Sequence, residues 1–394
     1  MPVIQPDILT WARETAGLSL EDAAQAIGLK EARGHTGAER LASLENGTEE
    51  PTRTLLVKMA HAYRRSLLIF YLSAPPRTGD RGKDFRTIPG TERFNPDLDA
   101  LIRDINARQD LVRSMLQDNE TPAVSFVARA TIETPVRDLA KQITENLGFS
   151  LQEFRAATKV DGAFGYLRET IERAGVFVLL LGNLGSHHTN IPVEIFRGFA
   201  LADQLAPMIV INDQDARTAW SFTALHELVH IWLGDTGVSG SDATSNIEQY
   251  CNDVAGEILL PATELATFPK NLTAHRAQGV ISEFAQERMV SRAMVAYKLL
   301  RVGLITKPTW TELTAAFLKE WQAAKQRQAD KPKTTDGGPS YYVVRRHRVG
   351  AALLGLVRRS LDDGIITYTK AGRVLGVKPR NVEPLLQVGS RGTR

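Results

Sequence analysis

Thr223-Ala224-Leu225-His226-Glu227-Leu228-Val229-His230 is the stretch that decides the fold of this 394-residue chain. Residues four apart on an α-helix share a face, so a helix here would direct the imidazoles of His226 and His230 at one point. Glu227 would lie beside them. This spacing is the HExxH pattern, in which two histidines bind zinc and the glutamate acts as a general base. We therefore predict a metal-binding helix with His226, His230 and Glu227 as its functional residues.

The residues around this pattern are almost all apolar, which predicts a helix that is buried nearly all round. They are Phe222, Leu225, Leu228, Val229, Ile231, Trp232 and Leu233. Gly234 follows and is expected to end the helix as a C-cap. Burying two histidines and a glutamate without a partner would be costly, so the apolar surroundings favour a metal in a cleft that the polar side chains line.

A catalytic zinc site requires a third protein ligand and an open position for water. The next helical pattern runs from Asp242 to Pro261, and four apolar positions mark its core face: Ile247, Cys251, Val254 and Ile258. Glu248 lies beside that face. Glu257 comes nine residues later and falls on the opposite side of the helix, because each residue turns the helix by about 100°. Only one of the two can face the metal, and we predict Glu248, with Glu257 as the alternative.

Asn252 lies one helical turn after Glu248, on the same side of the predicted second metal helix. Metal-bound imidazoles usually form a hydrogen bond through their second ring nitrogen. Asn252 is therefore a candidate partner for one of the two histidines. The alternative is an ordinary exposed amide.

These motifs resemble the ImmA/IrrE metallopeptidase family, whose pattern is HExxH, then ExxAN and a stretch that ends in ELLxP. The matching segments here are His226 to His230, Glu248 to Asn252 and Gly256 to Pro261, with Cys251 in place of the usual alanine. Residues 196–201 and 206–212 are similar to the family's strands before the metal helix. The resemblance implies a zincin-like domain with a small sheet, a Zn²⁺ cofactor and peptidase activity.

The resemblance also implies a regulatory role, since members of this family cleave or otherwise inactivate a repressor, often under stress or within mobile elements. Fused forms of this kind look like partners in toxin-antitoxin pairs. We therefore expect a protein substrate, either a repressor or a toxin-like partner. The alternative is a DNA-binding transcriptional regulator, or an antitoxin-like partner of a toxin, whose zinc site is structural or only weakly active. Neither DNA binding nor self-association is excluded.

Composition places the chain among ordinary globular proteins, with 43% hydrophobic and 24% charged residues. The first residues contain no basic segment followed by an apolar run, so the sequence does not indicate secretion. No segment approaches about 20 uninterrupted apolar residues, which argues against a membrane span. A single cysteine excludes an internal disulfide and fits a reducing compartment. We expect a cytoplasmic protein without a membrane partner.

Residues 1–73 resemble an Xre-type helix-turn-helix domain fused to a peptidase. In such a domain the helix around residues 38–44 would enter the major groove, and Arg33, His35 and Arg40 are the candidate DNA contacts. The charges oppose this interpretation, because the segment holds eight Lys and Arg against nine Asp and Glu. A protein-docking or dimerisation module is the alternative.

We predict a mostly helical α+β protein with five segments. An all-α helix-turn-helix domain (1–73) is followed by a connector with a long helix (74–134). A zincin-like metallopeptidase domain (135–324) comes next, with strands at 176–181, 195–201 and 208–211 ahead of the HExxH helix. A polar linker (325–340) with the composition of a flexible segment leads to a small basic helical domain (341–394).

The last segment carries most of the chain's positive charge. Residues 341–394 hold eleven Lys and Arg against three Asp and Glu, whereas the whole chain has a net charge of only +3. Residues 369–381 are typical of a second small helix-turn-helix. This segment is the better candidate for contact with phosphate. A solvated basic face and an acidic protein partner are the alternatives.

Overall fold

Helices form most of the computed structural model, which describes residues 4–76, 95–239, 246–269, 274–329 and 340–387. One four-stranded sheet accompanies them. This agrees with the predicted α+β class and is consistent with a zincin-like arrangement. Contacts divide the chain into two units, residues 1–103 and 104–394.

In the described part of the first unit, four short helices surround an apolar core. They are α1 (Pro6–Glu14), α2 (Leu20–Ile27), α3 (Gly37–Glu45) and α4 (Arg53–Ala62), followed by a 3-10 helix at Leu67–Tyr71. Helix α3 starts with a capping box: the Thr36 hydroxyl accepts from the Glu39 backbone, and the Glu39 carboxylate accepts from the Thr36 backbone. Helix α5 (Pro96–Asp118) leads out of this unit.

The second unit contains the remaining helices and the sheet. In chain order these are α6 (Val136–Leu147), α7 (Leu151–Arg155), α8 (Val160–Arg173), β1 (Phe177–Leu180), β2 (Gly198–Leu201), β3 (Met208–Ile211), α9 (Arg217–Leu233), β4 (Gly237–Ser239), α10 (Asn246–Leu259), α11 (Ala274–Glu287), α12 (Arg292–Arg301), α13 (Lys307–Ala329), α14 (Tyr341–Val349), α15 (Ala351–Asp362), α16 (Tyr368–Leu375) and α17 (Val382–Gln387).

The strands pair in the order β1-β3-β2-β4, with β1 parallel to β3 and the other pairs antiparallel. The three predicted strands are confirmed, although β2 starts only at Gly198 because Ile195 lies in a turn that its amide closes on Pro192. Strand β4 was not predicted. At three residues it is too short to show an alternating pattern.

Helix α9 packs on the sheet through β2 and β3, and α10 packs on α9 and α6. The core of this unit includes Phe126, whose ring stacks on Trp232 at 5.1 Å. The backbone amides of Ala128 and Ala130 donate to the carbonyls of Ile231 and Trp232. The segment before α6 therefore covers the end of α9 and helps to fix its position.

The C-terminal helices belong to the same unit as the sheet, and a buried ion pair on α8 holds them there. Arg168 pairs with Glu172 at 3.0 Å, and both side chains are less than a tenth exposed. Arg168 also donates to the carbonyl of His347, and Glu172 accepts from the amides of Ala351 and Ala352 at the start of α15. The carboxylate thus satisfies amides that the first turn of a helix leaves unpaired.

The predicted flexible linker lies largely outside the described residues. Its first residues, up to Ala329, continue helix α13. Within the described ranges no helix combines the length and apolar character that a membrane span requires.

Candidate metal centre

Helix α9 carries the HExxH residues through the middle of the second unit. It spans 17 residues and is buried from Thr223 to Trp232. Gly234 ends it in the left-handed region, at φ 70°. A Cβ on Gly234 would lie 2.6 Å from the Cβ of Ala128, so glycine is required here for close packing as well as for the backbone conformation. The predicted helix and its C-cap are confirmed.

Helix α10 brings a carboxylate to the two imidazoles of α9. Nε2 of His226 lies 3.1 Å from Oε2 of Glu248, and Nε2 of His230 lies 3.3 Å from Oε1 of the same group. The two Nε2 atoms are 3.2 Å apart. Among the described residues these three side chains form the one group of histidine, cysteine and acidic residues with metal-binding geometry.

The three donor atoms fit a zinc ion. Donors about 2.0–2.2 Å from a tetrahedral zinc lie about 3.3–3.5 Å from one another. The observed separations are 3.1 to 3.3 Å, close to that edge length, with each imidazole facing a different oxygen of Glu248. Two nitrogens and one carboxylate oxygen are also a donor set of catalytic zinc sites, which keep a fourth position for water.

The electrostatics of the site favour a positive charge beside the carboxylate. Burial alone would raise the pKa of Glu248. Hydrogen bonds with His226 and His230 outweigh burial and lower the pKa to about 2. Burial also lowers the pKa of His226, which favours its neutral form. For His230, burial lowers the pKa, but hydrogen bonds with Asp235, Cys251 and Glu248 raise it well above its usual value. A divalent cation binds an ionised carboxylate and neutral imidazoles, so it would displace the proton that His230 holds.

Glu227 is completely buried and lies against strand β2. A Cβ on Gly198 would lie 2.7 Å from Oε1 of Glu227 and 2.7 Å from Cγ2 of Thr223. The absence of a side chain at Gly198 therefore gives the Glu227 carboxylate its space. Sequence reasoning missed Gly198, because its contact with Glu227 depends on the packing of α9 on β2.

Asp235 holds His230 at two points, and sequence reasoning missed this residue as well. Its carboxylate lies 3.3 Å from Nδ1 of His230, and its backbone amide donates to the His230 carbonyl at 2.9 Å. The left-handed Gly234 makes this possible, because it turns the chain back over the last turn of α9. A carboxylate on Nδ1 keeps a proton there and leaves Nε2 free to bind a metal. The sequence did contain a signal for this role, because Asp235 is acidic and directly follows the C-cap glycine of the predicted metal-binding helix.

Two further residues of α10 contact the histidines: Asn252 interacts with His226, and Cys251 with His230. The Asn252 side chain interacts with His226 through a hydrogen bond that raises the pKa of that ring, against the larger lowering by burial. Cys251 is buried against His230, and burial raises the pKa of its thiol. Its sulfur is not one of the three clustered donors.

Glu257 lies away from the metal ligands. Its Oε2 accepts from Nζ of Lys298 at 2.8 Å and from the backbone amide of Ala262 at 3.1 Å. Lys298 is buried on α12, and a Cβ on Gly256 would touch its side chain at 3.0 Å. Glu257 therefore joins α10 to α12 and to the turn after Pro261. Of the predicted core positions on α10, Ile247 is 37% exposed, because it lies in the first turn of the helix.

Two tyrosines that could have stabilised an oxyanion have other partners. The hydroxyl of Tyr250 donates to the Thr134 carbonyl at 2.6 Å, and that of Tyr297 donates to Asp253 at 3.0 Å. His275 is exposed on α11. The described residues do not identify an oxyanion donor.

The candidate DNA contacts lie on and before α3 in the first unit. Arg33 adopts a positive φ of 55°, and His35 lies 3.9 Å from Glu39. The Arg40 guanidinium donates to the Lys30 carbonyl at 2.6 Å. Each of these side chains is exposed or half-buried. Their role in DNA binding stays a prediction.

His226, His230 and Glu248 form a possible metal site, and a comparison with known families is consistent with it. Residues 184–300 match the family described as the IrrE N-terminal-like domain, peptidase family M78. The match fits the ImmA/IrrE family, contains both metal helices and supports a peptidase of regulatory type. It does not include residues 1–73, where the helix-turn-helix stays a prediction. No curated protein and no solved structure matched the chain.

Proposed function

We propose that this protein is a zinc-dependent endopeptidase of regulatory type that cleaves or inactivates a partner protein. The observation that carries this proposal is the cluster of possible ligand atoms from His226, His230 and Glu248, with Glu227 next to it on α9. The family match to residues 184–300 supports the same activity. A repressor or a toxin-like protein is the expected substrate.

In this mechanism His226, His230 and Glu248 would hold the zinc ion. Bound zinc lowers the pKa of a water molecule and polarises the scissile carbonyl. Glu227 accepts a proton from the attacking water and then donates it to the leaving amine. Gly198 leaves room for the Glu227 carboxylate, and Asp235 keeps the His230 ring oriented. The apolar surroundings of α9 restrict bulk water and strengthen these polar interactions.

A trapping experiment with Glu227→Gln tests this function. The variant removes the proton acceptor but keeps all three ligands, so it is expected to bind zinc normally and to hold its partner uncut. Tagged wild-type and variant proteins are expressed in their native host, and captured proteins are analysed by mass spectrometry for new termini. Zinc content is measured on both. A partner that is cut at the same sites by both proteins would refute the proposed role of Glu227.

We further propose that residues 1–73 form the Xre-type helix-turn-helix domain that the sequence predicts. Capped helices α2 and α3, joined by residues 28–36, support it. Helix α3 would be the helix that contacts DNA, with Arg33, His35 and Arg40 near the sugar-phosphate backbone of the DNA. Loss of operator binding on Arg40→Gln, with unchanged zinc content, is the expected result. If the Glu227→Gln protein represses its target normally and no cut partner exists, the regulator with a structural zinc is the correct alternative.

A further inference from the structure

The C-terminal helices contain a second helix-turn-helix, which the proposed function does not use. Helix α16 ends at Leu375, and three residues separate it from a 3-10 turn at Pro379–Asn381 that continues directly into α17. Gly376 lies within this connection at φ 62°. Two helices joined by a turn of three to four residues with a glycine form the motif that DNA-binding proteins use.

Close packing makes this motif rigid. A Cβ on Gly372 would lie 2.8 Å from the Val377 carbonyl, so the turn rests directly on the helix where no side chain intervenes. The Val377 amide donates to the Gly372 carbonyl at 2.8 Å. The core beneath is fully buried and consists of Ala371, Val374, Leu375, Val382 and Leu385.

Several arginines of the tail are already bound within the protein. Arg345 donates to the carbonyls of Leu375 and Gly376, at the end of α16, and Arg346 donates to Leu385 near the end of α17. Cations at these positions satisfy the carbonyls that helix ends leave unpaired. Arg348 forms an ion pair with Asp213 at 2.6 Å. These side chains anchor the tail and cannot account for an external partner.

Four other cations remain on the surface of the motif. Arg373, Lys378 and Arg380 are exposed and Lys370 is half-buried, and none of the four side chains forms an ion pair or hydrogen bond with the described residues. The sequence from Gly364 to Val382 contains no acidic residue. Glu383, in the first turn of α17, is exposed and accepts hydrogen bonds from Tyr368 and Gln387. The four cations outnumber this one carboxylate, so the motif is suited to a polyanion.

We propose that this C-terminal helix-turn-helix binds the phosphate backbone of double-stranded DNA through Lys370, Arg373, Lys378 and Arg380. Residues three apart on a helix are neighbours, so Lys370 and Arg373 form one pair on α16. Lys378 and Arg380 form the second pair at the turn before α17. The rigid motif holds the two pairs in a fixed relation, which suits the regular spacing of phosphates along a duplex. This binding is independent of the metal site and of peptidase activity.

Salt-dependent binding of the full-length protein tests the proposal. The fluorescence anisotropy of a labelled random-sequence duplex is measured between about 50 and 200 mM salt. The buffer contains a metal chelator, so that binding is tested without the metal. The four phosphate contacts of the tail are expected to contribute about −3 to −4 to the slope of log K against log salt. The double variant Lys378→Gln/Arg380→Gln is expected to reduce the slope by about 2. Arg373→Gln alone is expected to reduce it by about 1.

A matched control removes the same charge elsewhere. Lys159 and Lys319 are exposed and form no ion pair with the described residues, so Lys159→Gln/Lys319→Gln is expected to keep the wild-type slope. Absence of binding at the lowest salt would overturn the proposal, as would equal slopes for the two double variants. Displacement of the duplex by polyglutamate at equal charge concentration would also overturn it, since an acidic protein would then be the better partner.

Discussion

The two ends of helix α10 carry the same type of side chain and use it for opposite purposes. Near the start, Glu248 faces the imidazoles of His226 and His230 at 3.1 and 3.3 Å. Nine residues later, Glu257 faces the ammonium of Lys298 at 2.8 Å. Both carboxylates are largely buried, and both lie in the core of the second unit.

The difference comes from what each carboxylate meets. A lysine supplies a full positive charge and needs no further cation, so the Glu257 pair is complete within the protein. Two imidazoles with their Nε2 atoms facing each other can instead share a metal ion with a carboxylate. The two glutamates face opposite sides of one helix and therefore meet different partners. The partner residue decides which carboxylate is available to bind a metal.

The largest expected effect is the loss of metal binding on Glu248→Gln. The amide keeps the shape of the side chain but removes the negative charge and an oxygen ligand. Substitution of a residue that hydrogen-bonds to a metal ligand typically lowers metal affinity by ~10–100-fold, and loss of a ligand itself is expected to lower zinc affinity by more. Zinc bound per chain is measured by elemental mass spectrometry after dialysis. Glu257→Gln is the control and is expected to retain zinc; equal zinc loss in both variants would remove the distinction between the two ends.

The second effect concerns stability at the other end of the helix. Lys298→Met leaves the Glu257 carboxylate with only the exposed Arg137, 3.8 Å away, and is expected to cost up to about 3–5 kcal/mol of the free energy of unfolding. Urea denaturation measures it. The double variant Glu257→Gln/Lys298→Met leaves no uncompensated charge and is expected to recover part of the loss. A double variant less stable than the single one would contradict this account.

A smaller effect distinguishes the proposed role of Glu227 as general base from the proposed role of the metal ligands. Gly198→Ala places a Cβ where Oε1 of Glu227 now lies 2.7 Å away, so the carboxylate must shift. A displacement of about 1 Å can lower catalysis by about 10²-fold. Cleavage of the trapped partner and zinc content are measured together, and only cleavage is expected to fall. Gly165→Ala is the control, since nothing lies within 4 Å of its added Cβ.

The smallest effect is expected for Asp235→Asn, which weakens the hold on His230. Zinc affinity should decrease by about 10–100-fold, because the ring loses the charged partner of its Nδ1–H group. Competition with a chromophoric chelator measures the affinity. Asp363→Asn removes an exposed carboxylate far from α9 in sequence and is expected to have no effect. An unchanged affinity for the Asp235 variant would show that the helix end alone orients the ring.

The parts of this site that lie within single helices could be predicted from the sequence. The four-residue spacing of His226 and His230 and the 100° rotation per residue favoured Glu248 over Glu257 as the third ligand, and the structure places the three groups accordingly. Gly234 was recognisable as a helix end for the same local reason. These predictions depend only on the periodicity of one helix.

The supporting residues could not be predicted, because their roles arise from contacts between elements. Gly198 matters only where β2 meets α9, and Asp235 only where a left-handed turn folds back on the helix. Arg168 and Glu172 form an i,i+4 pair that in sequence is typical of a solvated helix surface. Their burial depends on the helices that follow residue 340, which are distant in sequence.

The anchoring of the tail at α8 bears on how this protein can be shortened. A protein that ends after α13 would lose the carbonyl and amide partners of Arg168 and Glu172 and would expose the face of β1 that α14 now covers. Poor yield or aggregation of such a fragment would then reflect the loss of helices that pack on the second unit. Tests of the proposed peptidase activity should retain every residue through Gln387.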